Sequence, residues 1–593
     1  MIIKKVEIQN FRSHKNTLVD LSATNVLIGE NNTGKTTFLD AINHAIGDIR
    51  RSPMEDDFYA SGENFDPEKS DPIKVILEFR EEKDNRFSEN VLYIFDKAIR
   101  FDEVQCPEDP IKFVRVCYEY RYDVDKEGFV ENRYFVDKGN IKLSADSAVR
   151  RNHMSFFPFY YLTSSRDINR EIRNKSSFWG KLKKSIDYKE KENDIRAMIE
   201  QIDDLILKDD ETVDDLVLKL KELEKSMKLT SDSLHLHAFA RRNWELLDDL
   251  NIYLKTANSN LALPINKHGM GTQNIAVLII FNAYLDILLP KIVDNPEATP
   301  IIGIEEPEAH IHPQAQRAVF QQISRMKGQR IISTHSPFIV DQADIHDYLV
   351  FKAQKGITVI KRIPEYKKSF EFKYGLPNAA YESNRYLLPD ERLLIERFIQ
   401  HRNAELFFSS LFVLCEGDCE RVFLERVFPY HVGQTSGQLG ISVVGCEGGT
   451  YSPFLKIANM DAFDLTWRIL SDGEDNTKVA LKKTIVKSGY DLAKTQDRIH
   501  YLPNGCDFES YCIDVYGNEI DKVITEKFKG KFDKFCGQPV NSSLSGKELT
   551  NKFLDTIKVR FSEELAAHVI DQKLNVPGVV KDLMDAALSE VEE

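Results

Sequence analysis

Apolar residues in the first part of the chain follow the two-residue period of β-strands. Ile2, Val6 and Ile8 alternate with polar residues, which predicts a half-buried strand. Runs of β-branched and aromatic residues between polar turns predict further strands at residues 73–79, 91–101, 113–124, 129–136 and 157–162. A sheet-rich region therefore opens the chain.

The pattern changes at about residue 178, where apolar residues recur with the 4-3-4 spacing of amphipathic helices. The two stripes are Ile195, Ile199, Ile202, Ile206 and Leu216, Leu220, Leu223, Met227. The acidic turn Lys208–Asp215 separates them, so two helices are predicted within an insertion at about 178–255. The stripes fit a helical hairpin with a solvated face. They fit equally well an arm that buries its stripe against a partner subunit, and the sequence does not choose.

From residue 411 onward, strand-like runs alternate with helical segments, and acids follow the runs. The runs are Leu411–Leu414, Ile441–Val444, Trp467–Leu470 and Tyr501–Leu502. The acids are Glu416, Glu420, Glu447, Asp472, Glu474, Asp507 and Glu509. This alternation is typical of α/β domains, which place their ligands at the carboxyl ends of parallel strands. The acids are therefore predicted to share one crevice.

Length and composition limit the class of protein. At 593 residues the chain is too long for one core, so two or three domains are expected. The apolar share of 42% and the charged share of 29% are those of an ordinary soluble protein, and no apolar run is long enough to cross a bilayer. Met1–Lys5 has no signal-peptide anatomy, which predicts a cytoplasmic location. The 8 cysteines form no CxxC pair, so reduced and mostly buried thiols are expected.

The net charge of −15 argues against a protein coated by nucleic acid. Contact with DNA would have to come from a local basic patch or through metal ions. One such patch is formed by Lys522, Lys527, Lys529, Lys531 and Lys534. It suits contact with a phosphate backbone slightly better than it suits a plain solvated face.

The segment Gly29–Thr36, with the sequence GENNTGKT, fits the phosphate-loop pattern. A strand is predicted before it at Asn25–Ile28 and a helix after it at residues 35–46, which disfavours a simple glycine turn. Loop amides would cradle the phosphates, Lys35 would reach the outer ones and the Thr36 hydroxyl would bind Mg²⁺. The predicted ATP-binding residues of this segment are Gly29, Asn31, Asn32, Gly34, Lys35, Thr36 and Thr37.

Two later strand ends carry candidate catalytic groups. Ile301–Ile304 is followed by Glu305, which suits a Mg²⁺ ligand, and Glu306, which suits a base that polarises the attacking water. The strand at residues 330–333 delivers His335, which could bond a γ-phosphate, although a lone histidine is usually structural. Before these two strands in the chain, a glycine-rich turn at residues 264–272 precedes an apolar helix predicted at 275–289.

Together these motifs resemble the ATPase head of SMC-like and ABC-type proteins. They are NFRS, GENNTGKTT, GMGTQ, IEEPEAHIHP and STHSP, in this order. In such heads two subunits sandwich two ATP molecules. The resemblance implies that Gly269 and Gly271 belong to the signature turn and contact ATP, although the transporter form is LSGGQ. Glu305 stands where transporters have Asp, but a glutamate pair is expected of the Old type.

The acidic strand ends resemble a Toprim domain, and a head followed by a C-terminal Toprim domain resembles the Old (overcoming lysogenisation defect) nuclease family. The resemblance implies two Mg²⁺ or Mn²⁺ ions. Their ligands would be Glu416, Glu420, Asp472, Glu474 and Glu509. The usual Asp-x-Asp is here Asp472-Gly473-Glu474, whose longer second arm alters the geometry of the second metal. The family's late lysine matches Lys558, which would stabilise charge on the scissile phosphate or else lie on a helix surface.

The fold class expected is α/β. Residues 1–370 would form an ABC/SMC-like P-loop ATPase with the helical insertion, 371–410 a linker and 411–593 the Toprim domain. The expected function is an ATP-regulated, metal-dependent endonuclease for double-stranded DNA that acts in anti-phage defence. The expected assembly is a homodimer or a larger even-numbered oligomer, with a helicase encoded nearby if the chain is of the Gabija-type subclass. The alternatives are a repair or recombination ATPase whose Toprim domain binds without cutting, and a nucleotide-sensing regulatory ATPase.

Overall fold

The structure, a computed structural model, describes most of the chain in two compact units. The described residues are 1–47, 52–59, 66, 68–81, 86–102, 110–144, 147–186, 189–191, 194, 197–198, 201–202, 218, 252–255, 262–288, 297–364, 387–401, 404–503, 505–541 and 544–592. Unit 1 comprises Met1 and Arg150–Gln329, and unit 2 comprises Ile2–Val149 and Arg330–Glu593. Most of the two predicted helical stripes, and Cys106, lie outside the described residues.

Among the described residues the strands are β1 Ile2–Phe11, β2 His14–Asp20, β3 Thr24–Ile28, β4 Ile73–Arg80, β5 Arg100–Asp102, β6 Ile111–Asp123, β7 Gly128–Phe135, β8 Phe159–Leu162, β9 Tyr253–Leu254, β10 Leu263–Pro264, β11 Ile301–Glu305, β12 Gln329–Ser333, β13 Tyr348–Gln354, β14 Ile357–Lys361, β15 Leu411–Cys415, β16 Ile441–Gly445, β17 Thr466–Ser471 and β18 Ile499–Tyr501.

The α-helices of the same residues are α1 Lys35–Ile46, α2 Glu89–Phe95, α3 Arg151–Met154, α4 Ile168–Arg173, α5 Phe178–Lys184, α6 Met270–Ala283, α7 Pro313–Arg325, α8 Pro337–Val340, α9 Pro389–His401, α10 Asp418–Val432, α11 Ser452–Ala458, α12 Asp475–Lys487, α13 Leu492–Thr495, α14 Phe508–Tyr516, α15 Asn518–Val523, α16 Lys529–Cys536, α17 Gly546–Asp571 and α18 Gly578–Glu592.

An antiparallel sheet in unit 2 has the strand order β2-β1-β4-β6-β5, with β7 paired to β6. The prediction of a strand at 91–101 is wrong, because α2 occupies its first half and only β5 is extended there. Ser88 caps this helix by accepting a hydrogen bond from the Val91 N–H at 3.2 Å. Val91 and Phe95 are buried together on one helical face, so a four-residue spacing overrides their strand propensity.

A second sheet region of unit 2 carries the predicted phosphate loop. β3 pairs in parallel with both β12 and β13, and β13 pairs with β14 in an antiparallel hairpin. Val26, Leu27 and Ile28 in β3 are fully buried, which agrees with their continuous apolar run. The predicted strand and the predicted helix on either side of the loop are both confirmed.

In unit 1, β8 and β11 pair in parallel. The long apolar helix α6 precedes β11 in the chain. Met270–Ile287 is apolar and long enough for a membrane span by length and composition, but half of this window is buried. Phe281 packs at 4.8 Å between ring centroids against Phe178 and at 6.2 Å against Tyr160. The buried side of this helix therefore belongs to the apolar core of unit 1.

The last sheet, also in unit 2, has the order β16-β15-β17-β18, and all its pairs are parallel. Its apolar core is shared with α10, α14, α17 and α18. Five described cysteines of the chain are buried free thiols, namely Cys117, Cys415, Cys419, Cys446 and Cys512. The predicted linker 371–410 includes α9 and a 3-10 helix at Ala404–Phe408, while residues 371–386 lie outside the described part.

Candidate functional sites

The phosphate loop of unit 2 connects β3 to α1 in the geometry that the sequence predicts. Gly34 has a φ of 97° and Asn32 a φ of 62°, left-handed values that reverse the chain before the helix. The buried Lys35 ammonium donates to the carbonyl oxygens of Gly29 at 2.8 Å and Glu30 at 2.6 Å. Asn31, Asn32 and Thr36 are exposed, as an anion cradle requires, and Thr37 is half-buried.

Residues that sequence reasoning missed support this loop from behind. The buried His14 ring lies 3.1 Å through Nε2 from the Gly34 carbonyl oxygen and 2.9 Å through Nδ1 from Thr17 Oγ1. Burial lowers the His14 pKa to about 4, so the ring is neutral at pH 7. Thr358 Oγ1 donates to the Thr33 carbonyl at 2.9 Å. The histidine that follows the NFRS turn was the available signal for this support.

The structure brings His335 to the same side of unit 2 as Lys35. β12 runs parallel to β3, and the Thr334 N–H donates to the Leu27 carbonyl at 3.1 Å, so the two strands end together. Burial lowers the His335 pKa, and the Lys35 charge lowers it further. The strand pairing therefore delivers His335 near the phosphate loop.

The acidic pair lies in unit 1, at the end of β11. Glu305 is buried, and its Oε2 accepts a hydrogen bond from the Ser164 N–H at 3.2 Å. Its Oε1 has no hydrogen-bond partner among the described residues. Glu306 has a φ of 40°, a left-handed value that is rare for a residue with a side chain. The turn after β11 therefore combines a buried carboxylate with a strained backbone.

The helix that follows the glycine turn of unit 1 begins earlier in the chain than predicted. Gly269 is the N-cap and α6 starts at Met270, so Gly271 lies in the first helical turn and not in a loop. A Cβ on Gly271 would lie 2.5 Å from the His310 carbonyl oxygen. Asn274 Nδ2 donates to the Ala309 carbonyl at 2.6 Å. The first turn of α6 and the turn after β11 therefore pack backbone against backbone, which requires glycine.

The carboxyl ends of β15 and β17 meet at one edge of the parallel sheet. Glu416 follows β15 and Asp472 follows β17, and these two strands are direct neighbours. The chain leaves β15 toward β16 on one side and then crosses to β17 on the other, so the strand order reverses between β15 and β17. Such a reversal opens a ligand crevice in α/β sheets. The Asp472 backbone N–H also hydrogen-bonds the Glu416 carboxylate.

Burial and mutual repulsion raise the pKa values of the acids at this edge. Burial and neighbouring carboxylates raise the Asp472 pKa to about 8 and the Glu420 pKa to about 7. The pKa values of Glu416 and Glu509 are also raised, by burial first. The charges that act on Asp472 are those of Glu416, Glu420, Asp507 and Glu509. These acids therefore lie close enough to disfavour their shared ionisation.

The oxygens at this edge suit a hard divalent cation. Glu416 Oε2 and Asp472 Oδ1 are buried and have no hydrogen-bond partner among the described residues. In that part of the chain, no three His, Cys, Asp or Glu side chains converge as a complete metal site. Glu420 Oε2 accepts instead from the Gly417 N–H at 3.1 Å, and Glu509 hydrogen-bonds the Cys419 thiol. An ionised carboxylate has about four acceptor sites, so each of these two groups keeps lone pairs for a cation.

The remaining predicted residues lie at the margin of this edge. Glu474 is exposed at the N-cap of α12, and its charge raises the Glu416 pKa. Lys558 lies at a break in α17, with φ 19° and ψ −103°, and its side chain is 61% exposed. Burial raises the pKa values of Glu416 and Glu509, and the Lys558 charge lowers both in part. The break therefore places an exposed lysine near the acids.

Two residues at the edge, Asp507 and Gly473, were not in the predicted set of metal ligands. Asp507 Oδ1 caps α14 by accepting from the Ser510 N–H at 2.7 Å, and its charge acts on Asp472 and Glu509. Gly473 has no space for a side chain, because a Cβ would lie 1.8 Å from the Pro503 carbonyl oxygen. The signals for both were the acid before the helix and the glycine between two acids.

The five lysines of the basic cluster are all exposed. Lys522 pairs with Glu519 at 2.6 Å and Lys527 pairs with Glu564 at 3.3 Å. Lys529, Lys531 and Lys534 make no ion pair with the described residues. Arg560, two residues after Lys558, lies 5.7 Å from the Phe528 ring centroid, so the cluster borders the helix that carries Lys558.

Comparison with known proteins gives two family matches. The family described as AAA ATPase domain matches residues 1–340, more than half of the chain. The family described as Overcoming lysogenization defect protein-like, TOPRIM domain matches residues 407–473.

Two relatives and one solved structure are similar to parts of the chain. The chain is 26% identical over 497 residues to a protein named OLD nuclease from Thermus scotoductus, covering 79% of this chain and 82% of that protein. It is 22% identical over 416 residues to Endonuclease GajA from Bacillus cereus, covering 60% of this chain and 58% of that protein. The solved C-terminal region of the Xanthomonas campestris pv. campestris OLD protein has 18% identity and a TM-score of 0.25, covering 32% of this chain and 96% of that chain.

Proposed function

The chain belongs to the Old family, in which an AAA ATPase domain is joined to an Old-type Toprim domain, and from this we propose that it is an ATP-regulated, metal-dependent DNA endonuclease. The family expected from the motifs is confirmed. One structural observation supports the proposal above the others. Buried carboxylate oxygens of Glu416 and Asp472, without hydrogen-bond partners among the described residues, lie where the parallel sheet reverses its strand order.

We propose that this acidic edge is the nuclease site. Bound Mg²⁺ or Mn²⁺ would supply Lewis-acid stabilisation of the scissile phosphate and lower the pKa of the attacking water. Glu416 and Asp472 would hold the ions, and Glu420, Glu474 and Glu509 would complete the ligand set. Lys558 would stabilise the negative charge that develops on the phosphate, because its exposed ammonium lies beside the ligands.

The proposed ATPase chemistry assigns a role to each predicted residue. Lys35 would exchange its bonds to loop carbonyls for bonds to phosphate oxygens, and Thr36 would bind Mg²⁺. His335 would contact the γ-phosphate, which its place beside Lys35 supports. Glu305 would bind Mg²⁺ and Glu306 would polarise the attacking water.

The proposed partners follow from the nuclease assignment. The substrate would be double-stranded DNA, and the site of action the cytoplasm during anti-phage defence. The assembly would be a homodimer or a larger even-numbered oligomer, with a helicase as partner if the chain acts in a Gabija-type system. Light scattering with and without ATP tests the assembly, and a monomeric mass in both conditions would contradict it.

Plasmid nicking with and without ATP tests the function. Wild-type protein with Mn²⁺ or Mg²⁺ should convert supercoiled plasmid to the open circle, and Glu416→Ala should abolish this while ATP hydrolysis continues. Glu425→Ala is the matched control, since Glu425 is an exposed acid on α10 that pairs with Arg421 at 3.0 Å. All variants need parallel purification because a contaminating nuclease would mimic activity. If Glu416→Ala nicks as fast as wild type, a repair ATPase whose Toprim domain only binds becomes the better assignment.

A further inference from the structure

A buried arginine of unit 1 contacts the backbone of both residues of the acidic pair. Arg166 follows β8, which pairs with β11. Its Nη2 donates to the Glu305 carbonyl oxygen, and its Nη1 donates to the Glu306 carbonyl oxygen at 3.2 Å. The residue is only 6% exposed. Arg166 was not among the residues predicted to form the site.

The backbone that Arg166 contacts is in a conformation that requires support. At a φ of 40°, the Glu306 side chain is crowded by its own backbone, so the turn is strained. Such conformations persist when the surrounding structure over-determines them. The Glu306 carbonyl accepts both from Arg166 and from the Ala309 N–H at 3.0 Å. The direction of the Glu306 side chain therefore depends on these two donors.

The same short segment also holds the Glu305 side chain. The Arg166 N–H donates to the Ser164 carbonyl at 3.0 Å, and the Ser164 N–H donates to Glu305 Oε2 at 3.2 Å. Residues 164–166 thus bind one acid through its carboxylate and both acids through their carbonyls. A planar guanidinium with several fixed donors can bridge two adjacent carbonyls, whereas an ammonium acts as a single point.

Burying this cation is costly, and nearby acids offset only part of the cost. Burial lowers the Arg166 pKa to about 10, against the opposing charges of Glu308, Glu305 and Glu306. The Arg166 Nε has no hydrogen-bond partner among the described residues. An apolar residue would fill the same space without the cost of burying a charge. What the arginine contributes is therefore its hydrogen bonds to the two carbonyl oxygens.

We propose that Arg166 is a positioning residue for ATP hydrolysis, which holds the turn after β11 so that the Glu306 carboxylate keeps one direction. The inference rests on the proposed ATPase function and extends it. On the other side of the turn, Asn274 donates to the Ala309 carbonyl at 2.6 Å. The turn is therefore held between Arg166 and the first turns of α6.

The test compares Arg166→Lys and Arg166→Gln with Arg170→Gln, a matched control because Arg170 is an exposed residue of α4. In both Arg166 variants we expect kcat for ATP hydrolysis to fall by about 10- to 100-fold, because a small misplacement of a catalytic group has that cost. KM for ATP and the affinity for a fluorescent ATP analogue should stay within about twofold of wild type. Arg170→Gln should match wild type in each measurement.

Three outcomes would overturn this inference without refuting the ATPase function. They are a wild-type kcat in Arg166→Lys, a loss of nucleotide affinity in parallel with kcat, and an equal loss of kcat in Arg170→Gln. Should the Arg166 variants not fold, as judged by thermal unfolding, Asn274→Ala removes a donor from the other side of the same turn. It should lower kcat by about threefold or more with KM unchanged, and an unchanged kcat would overturn the inference. A wild-type protein that does not hydrolyse ATP would refute the ATPase itself, and this inference with it.

Discussion

The phosphate loop and the acidic sheet edge both follow parallel strands of unit 2, yet they are organised by opposite means. In the loop the Lys35 ammonium is hydrogen-bonded to loop carbonyls, and the neutral His14 supports the Gly34 carbonyl. At the edge, buried oxygens of Glu416 and Asp472 have no such partners among the described residues. The loop is held by satisfied hydrogen bonds, whereas the edge gathers groups that repel one another.

This difference teaches how each site should respond to its ligand. In the proposed ATPase, a phosphate would exchange places with the carbonyl oxygens that bind Lys35. It would therefore gain affinity from the preformed loop more than from relief of strain. A divalent cation at the edge relieves repulsion among carboxylates that burial has already made hard to ionise. Ligand binding should therefore depend strongly on pH at the edge and weakly at the loop.

The largest effect that separates the two sites is expected from Lys35→Ala. Removing a buried, fully hydrogen-bonded charge should weaken ATP binding by roughly 100-fold or more. Metal-dependent nicking should persist, because the proposed ligands at the edge are untouched. Nucleotide titration and plasmid nicking measure the two results, with the exposed Lys97→Ala as control. Complete loss of nicking in Lys35→Ala would show that the two sites do not act independently.

The reverse separation is expected from Gly473→Ala. The added Cβ would lie 1.8 Å from the Pro503 carbonyl oxygen, so the backbone between Asp472 and Glu474 must move. Nicking should fall by about 10- to 100-fold, since displaced ligands no longer hold the geometry, while ATP hydrolysis should be unchanged. Gly437→Ala is the control, because nothing lies within 4 Å of its Cβ position. Wild-type nicking in Gly473→Ala would place the reaction elsewhere.

The pH dependence of stability tests the electrostatic repulsion inferred at the acidic edge. The pKa values of Asp472 and Glu420, about 8 and about 7, lie above their ordinary values of 3.8 and 4.5. Between these limits the folded protein binds more protons than the unfolded chain, so its stability falls as pH rises. Without divalent ions, Tm should therefore decrease from about pH 5 to about pH 8.

Asp472→Asn should flatten this decrease, because it removes the group with the larger shift. Asp475→Asn, on an exposed residue at the start of α12, should leave the wild-type slope. Thermal unfolding followed by circular dichroism across the pH range provides the measurement. A slope in Asp472→Asn equal to that of wild type would mean that the pKa of the Asp472 carboxyl is not raised in the folded protein.

The smallest effect is expected from the basic cluster. Replacing Lys529, Lys531 and Lys534 by glutamine should weaken DNA binding and reduce the magnitude of the log–log salt slope by about 1 for each lost phosphate contact. Nucleotide affinity should be unaffected. Lys97→Gln and Lys126→Gln, on exposed residues far along the chain, serve as controls. An unchanged salt slope would assign the cluster to a solvated face.

Local patterns in the sequence were sufficient for elements whose signals are local. The phosphate loop was predicted between β3 and α1 because an apolar run, two glycines and a helical period follow one another within a few turns of chain. The acids after β15 and β17 were predicted at strand ends by the same kind of signal. The prediction failed at residues 91–101, where a capped helix and a strand divide one β-branched run.

The hydrogen bonds between these elements could be found only from the tertiary structure. His14 supports a loop 20 residues later, Arg166 reaches a turn 140 residues later and Thr358 returns across 325 residues to Thr33. The break in α17 at Lys558 likewise leaves no mark in the helical period. By itself the sequence determined which residues end strands and begin helices, because φ/ψ preferences and apolar periods act between near neighbours. Only folding decided which polar groups share a buried space, because partner choice and pKa depend on distances between segments that are remote along the chain.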